Sequence, residues 1–147
     1  MSVNPTPHWL NQFALVWNRL NSDSLAGLSD IYHPELEFRD PSVTLHGLAA
    51  FKTHLAAIYQ NAQEVHFDLG HCVIESPEQL CQTWQMQFRH PKLAGGRLIT
   101  VDGISELRHG DGGIFYHRDY FDLGAMLYEH LPLIGAVNRR IKKGLAP

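Results

Sequence analysis

The sequence predicts an α+β fold in which helices come first and then lie on one face of a curved antiparallel sheet. Three observations carry that prediction. Apolar residues recur at helical spacing up to about residue 60, and from about residue 65 they alternate with a period of two. Between the alternating runs stand turn signals: Ser76-Pro77, Gly95-Gly96 and the string His109-Gly110-Asp111-Gly112-Gly113. Helices grouped before strands segregate into layers, and do not wind as βαβ units.

The elements follow in order. Thr6 and Pro7 form an N-cap and first-turn pair, after which Trp9, Phe13, Val16, Trp17 and Leu20 recur at helical spacing. Asn21, Ser22 and Asp23 interrupt, and Leu25, Leu28 and Ile31 predict a second, short helix. Residues 35–40 form a short strand closed by Pro41. A third helix after Gly47 is marked by Leu48, Phe51, Leu55, Ile58 and Tyr59. Val65, Phe67 and Leu69 then alternate with His66 and Asp68, and Trp84, Met86 and Phe88 with Gln85 and Gln87. Residues 97–107 and 114–122 complete an antiparallel meander. In the tail, Leu133, Val137, Ile141 and Leu145 fall four apart, and Pro132 separates this helix from a turn over residues 124–130.

Composition bounds the function. The 147 residues make one domain, long enough to bury a core without disulfide staples. A net charge of −3 argues against nucleic acid as a partner. The charge is uneven: Arg139, Arg140, Lys142 and Lys143 crowd the tail, which leaves residues 1–138 with 8 basic and 15 acidic groups. A basic amphipathic helix can touch anionic membrane. The sequence favours instead a helix packed across a pocket mouth or against a dimer partner, with its charges in water. Cys72 and Cys81 lack metal or redox spacing and read as structural thiols. No secretory signal and no long apolar run is visible, so the expected location is the cytoplasm.

The last strand carries the chemistry. Its alternation puts Phe115, His117, Asp119 and Phe121 on one face, an imidazole and a carboxylate among aromatics. Apolar walls favour a carboxyl group able to move protons near neutral pH. The plainer reading pairs Asp119 with Arg118 or a backbone amide and leaves His117 in water. No HExxH or other local ligand set supplies a metal site, and no phosphate-binding glycine pattern occurs.

The run Phe115-Tyr116-His117-Arg118-Asp119-Tyr120-Phe121-Asp122-Leu123 resembles the last strand of the limonene-epoxide hydrolases, which carry a similar Arg-Asp-Tyr-Phe-Asp string. The first aspartate of that string is the family's acid/base, and the resemblance implies that role for Asp119. SnoaL-type polyketide cyclases are similar at the same place, by a looser match. Residues 21–41, NSDSLAGLSDIYHPELEFRDP, resemble the ketosteroid isomerases between their first helix and first strand. There the aspartate before the proline is the proton-shuttling base, which implies Asp40 on the pocket wall across from Asp119. A bare Asp-Pro also has a plain use, to start a turn. The isomerase's two enolate donors have no equivalents here, since Val16 and Ser105 stand at those positions. The hydrolase's Arg-x-Asp pair is missing from the strand around Trp84.

The resemblance implies one SnoaL-like, or NTF2-like, domain over residues 1–147. Its fold is the cystatin-like cone, with residues 123–147 as a C-terminal helical extension. The expected function is proton transfer, of isomerase, cyclase or hydrolase type, on a small apolar molecule, without cofactor or metal. Asp119, Asp40 and His117 are the expected catalytic residues, with a phenol from Tyr32 or Tyr59. Trp17, Phe38, Trp84, Met86, Phe88, Ser105 and Phe121 are the expected substrate contacts. The alternative is a non-catalytic ligand-binding or dimerising module, and either form is expected as a homodimer through the outer sheet face.

Overall fold

The structure is a computed structural model that describes residues 4–145. Residues 1–3 and 146–147, at the ends of the expected N-terminal stretch and tail extension, lie outside the described residues. The chain runs α1 (His8–Asn18), a 3-10 turn (Leu25–Asp30), β1 (Tyr32–Arg39), β2 (Thr44–His46) and α2 (Leu48–Asn61). Then come β3 (Gln63–Ser76), β4 (Gln79–Arg89), β5 (Ile99–Gly110) and β6 (Gly113–Phe121). Helix α3 (Leu123–Met126), a 3-10 turn (Tyr128–His130) and α4 (Pro132–Leu145) close the described chain.

The strands form one curved sheet in the order β2-β1-β6-β5-β4-β3. Four of them make the expected meander, but β1 joins β6 in parallel, so the sheet is mixed and not purely antiparallel. The seed of that pair is a hydrogen bond from the Ile114 amide to the Ile31 carbonyl, 2.9 Å. Glycine is required at this corner. Gly113 has φ +118°, and a Cβ there would stand 2.8 Å from the Ile31 carbonyl oxygen.

Several boundaries differ from expectation. Helix α1 starts at His8 with Pro7 as its N-cap, so Thr6 does not cap it. Strand β1 begins at Tyr32, earlier than residue 35, and β2 was not anticipated. A larger difference lies in β6. His109 pairs with Ile114 but Arg108 pairs with Tyr116, so Phe115 is the extra residue of a β-bulge. The bulge flips the alternation: Ile114 is 0% exposed and Phe115 43%. Phe115 therefore leaves the face of His117 and Asp119.

The core lies between α1, α2 and the sheet. Leu28, Leu36, Phe51, Leu107 and Ile114 are fully buried there, each stabilising the fold by roughly 1.5–3 kcal/mol. A second apolar cluster, Phe88, Leu93, Ile99 and Val101, packs against Met126, Leu127 and Leu131. Between the two clusters the filling is incomplete, and the site lies in that gap.

Candidate active site

A cavity of about 430 Å³ opens between the helices and the inner sheet face, within the range of small-molecule sites. Trp17 comes to it from α1, Phe38 from β1, Trp84, Met86 and Phe88 from β4, and Phe121 from β6. These are six of the seven expected substrate contacts; the seventh, Ser105, does not line it. The two expected carboxylates, Asp40 and Asp119, both do. Its exposed lining residues include Ala57, Ile58, Asn61 and Tyr128, which place the mouth between the end of α2 and the turn after α3.

Asp119 sits at the end of a buried hydrogen-bond chain. Register puts Ser105 opposite it on β5, and the Ser105 hydroxyl donates to Asp119 Oδ1 at 2.5 Å. His117, two residues back on the same face, reaches the same oxygen through Nε2 at 2.6 Å. The other imidazole nitrogen, Nδ1, meets the Tyr32 hydroxyl at 2.6 Å. Two tryptophans cap the chain: Trp17 Nε1 donates to Tyr32 Oη at 3.1 Å, and Trp84 Nε1 to Ser105 Oγ at 2.8 Å. Trp84 reaches Ser105 because Gly103 lies beneath its indole; a Cβ there would fall 2.3 Å from the ring.

The two indoles set one end of each bond chain, because an indole N–H only donates. Tyr32 accepts from Trp17 and has His117 Nδ1 as its one acceptor among the described residues, so its own proton goes there. His117 is then the neutral tautomer with its proton on Nε2, donated to Asp119. Ser105 accepts from Trp84 and likewise donates to Asp119. All donors converge on Oδ1 of an ionised carboxylate. Burial supports the assignment, since it pushes the Tyr32 hydroxyl well above its usual range and keeps it protonated. The imidazole is caged by Phe13, Phe38 and Phe51, with ring centroids 6.0, 5.2 and 6.2 Å away.

Asp119 Oδ2 makes no hydrogen bond among the described residues and is not sealed off. Its side chain is 18% exposed against 2% for His117. The carboxylate is thus held by one oxygen and unpaired at the other, and Asp119 is among the residues that line the apolar cavity. His117 and Ser105 stand behind it and do not line the large cavity. Ser105, expected at the substrate, has its proton committed to Asp119.

Asp40 has a different situation. Its Oδ1 accepts from the Ser42 amide, the Ser42 hydroxyl and the Val43 amide at 2.7, 2.7 and 2.8 Å. It builds the turn between β1 and β2, the plain use of an aspartate before proline. Of the two candidate phenols, Tyr32 belongs to the buried chain, while Tyr59 lines the cavity with no hydrogen-bond partner among the described residues. Burial raises the Tyr59 hydroxyl above its usual range, so it remains a donor.

Other lining residues were missed in the sequence. His54 and His90 border the cavity, and Leu123, Met126 and Leu127 close one wall. The helical spacing of those last three, directly after β6, was the available signal. Among the described residues no three His, Cys, Asp or Glu side chains group as metal ligands.

The sequence model of the SnoaL-like domain matches residues 13–117. Solved structures share the fold. A protein of ketosteroid isomerase-like fold from Catenulispora acidiphila, in complex with trimethylamine, superposes with a TM-score of 0.71 at 17% identity, over 87% of this chain and 96% of that one. TerC co-crystallised with polyporic acid gives 0.67 at 17% identity, over 80% and 94%. A protein from Jannaschia described as a SnoaL-like polyketide cyclase gives 0.68 at 10%, over 86% and 94%. Identities this low speak for the fold alone. No curated protein matches the sequence.

Proposed function

The chain belongs to the SnoaL-like domain family, and on that footing we propose that it is an acid–base enzyme acting on a small, largely apolar carbonyl compound. The observation that carries this reading is the asymmetry of Asp119: one oxygen fixed by Ser105 and His117, the other without a partner, on a residue that lines an apolar cavity. Oδ2 takes a proton from a carbon next to the substrate's carbonyl. The electron pair moves onto the carbonyl oxygen, where the Tyr59 hydroxyl donates a hydrogen bond. Asp119 then returns the proton to another carbon, which is isomerisation. Alternatively, the enolate carbon closes a ring on a second carbonyl of the same molecule, and Asp119 protonates the new alkoxide. The apolar walls exclude water and strengthen each electrostatic contact. Hydrolysis of epoxide type has less support, because the Arg-x-Asp pair is absent from β4.

The second reading is a binding module without turnover. Asp40 favours it, since a carboxylate tied into a turn is a poor second acid or base. The test is incubation of the pure protein with small enones, lactones and polyketide-like ketones, followed by chromatography with mass detection. A product of unchanged mass is expected, with a rate reduced about 10²- to 10⁴-fold in Asp119→Asn, the usual worth of a positioned acid/base. Ligand binding without any product, equal in both proteins, assigns the cavity to the module.

A further inference from the structure

Helix α4 turns its apolar side away from the protein. Leu133 and Leu145 are 83% and 82% exposed, Val137 and Ile141 58% and 59%, and Ile134 beside them 55%. The side that docks is the polar one. Gly135 lies so close to the preceding turn that a Cβ would stand 2.5 Å from the Glu129 carbonyl oxygen. Arg139 donates to that same carbonyl, and Lys142 pairs with Asp122 and with Glu129. These contacts fix the helix's roll, so the stripe cannot turn inward without breaking them. No α4 side chain lines the cavity. Of the two packings expected from the sequence, the one across the pocket mouth is therefore not found, while the one against a dimer partner would use this same exposed side.

We propose that α4 seats this protein on an anionic lipid surface, its apolar stripe in the headgroup–acyl boundary and its free cations on the lipid phosphates. The reasons are geometric and electrostatic. A short helix with one apolar side, bordered by lysine and arginine and of low net hydrophobicity, suits the membrane interface. Arg140 and Lys143 are exposed and have no ion pair among the described residues, while Lys142 already neutralises Asp122 and Glu129. The cationic helix stands on a body whose first 138 residues carry 8 basic and 15 acidic groups. An anionic surface attracts the helix and repels the rest, which orients the molecule.

A second copy of the chain fits the stripe less well. A two-fold contact repeats the same patch on both partners. Arg140 flanks the stripe near the midpoint of α4, so such a contact would bring this cation close to its own copy. Tyr128, at the cavity mouth, belongs to the turn on which α4 rests, so the proposed lipid contact lies next to the element that borders the mouth. The proposal does not depend on whether Asp119 turns substrate over.

The experiment is flotation of the full chain with vesicles of phosphatidylcholine alone, or of phosphatidylcholine and phosphatidylserine in a two-to-one ratio. Binding only to the anionic vesicles, lost in high salt, is expected. Val137→Asp with Ile141→Asp should abolish it while the circular dichroism stays unchanged, because both side chains already face water. Arg140→Gln with Lys143→Gln should weaken it roughly thirtyfold. Absence of flotation, or flotation indifferent to lipid charge or to these variants, overturns the proposal. If light scattering shows a dimer that the paired aspartates dissociate, the stripe belongs to a second copy and the proposal also falls.

Discussion

Asp119 and Asp40 line the same cavity, yet the fold uses them in opposite ways. Asp40 takes three hydrogen bonds on one oxygen, all from the two residues that build its own turn. Asp119 takes two on one oxygen, both from side chains that are themselves oriented by buried partners. Local bonds make Asp40 a brace that any β1–β2 turn could use. Long-range bonds make Asp119 a carboxylate whose second oxygen points where the sheet, the helices and two tryptophans send it. In the proposed function, what distinguishes the two is the origin of their hydrogen bonds, since both aspartates reach the cavity.

The largest effects come from the Asp119 side of this comparison. Asp119→Asn keeps the shape but loses the base, and the expected rate loss of about 10²- to 10⁴-fold has no counterpart at Asp40. Next comes Tyr32→Phe. It removes the donor to His117 Nδ1 and the acceptor for Trp17, both buried, and should destabilise the fold by about 1–3 kcal/mol in urea unfolding. It leaves Nδ1 a buried acceptor with no donor, free to take a second proton, while Asp119 still holds the first on Nε2. Turnover should then fall roughly tenfold with an altered pH profile, while KM stays near its original value because Tyr32 does not line the large cavity. A stability loss with an unchanged pH–rate profile would reduce the chain from Trp17 to Asp119 to a packing device.

Much of the cavity wall was legible in the sequence, because period-two alternation survives wherever strands are regular. Trp84, Met86 and Phe88 face inward as the pattern requires. Phe115 failed because one extra residue in β6 reverses every assignment before it, and no local residue signals the bulge. Asp119 and His117 lie beyond the bulge, so their shared face was read correctly. The role of Ser105 was out of reach, since it depends on register with β6 and on a tryptophan lying across Gly103. Tyr32 was undecidable because apolar spacing continues through Ile31 and hides the start of β1. The orientation of α4 escaped for a similar reason: amphipathicity shows that a helix has two sides, and a glycine contact decided which one docks.

Asp40→Ala should separate brace from catalyst. Losing three hydrogen bonds in a half-exposed turn should cost about 1–2 kcal/mol in thermal or urea unfolding. Turnover per folded molecule should change no more than a few-fold. A loss as large as that of Asp119→Asn would erase the contrast and restore Asp40 as a second catalytic carboxylate.

The smallest effect tests the brace logic on a third aspartate. Asp122 caps α3 through the Ala125 amide and pairs with Lys142 of α4, and chiefly that lysine holds its carboxyl below the usual range. A depressed carboxyl stabilises the fold fully above its unfolded value, and that contribution disappears as pH falls through the folded one. The pair is half exposed, so water and salt screen it and the stability change is small. It should be visible locally: amides of α4 should exchange hydrogen faster, after correction for the intrinsic rate, as pH drops through the carboxylate range. Asp122→Asn should show the faster exchange already at neutral pH and little further change on acidification. If the variant's α4 exchanges like wild type, Gly135, Arg139 and the Lys142–Glu129 pair anchor the helix without it, and Asp122 is a cap for α3 and nothing more.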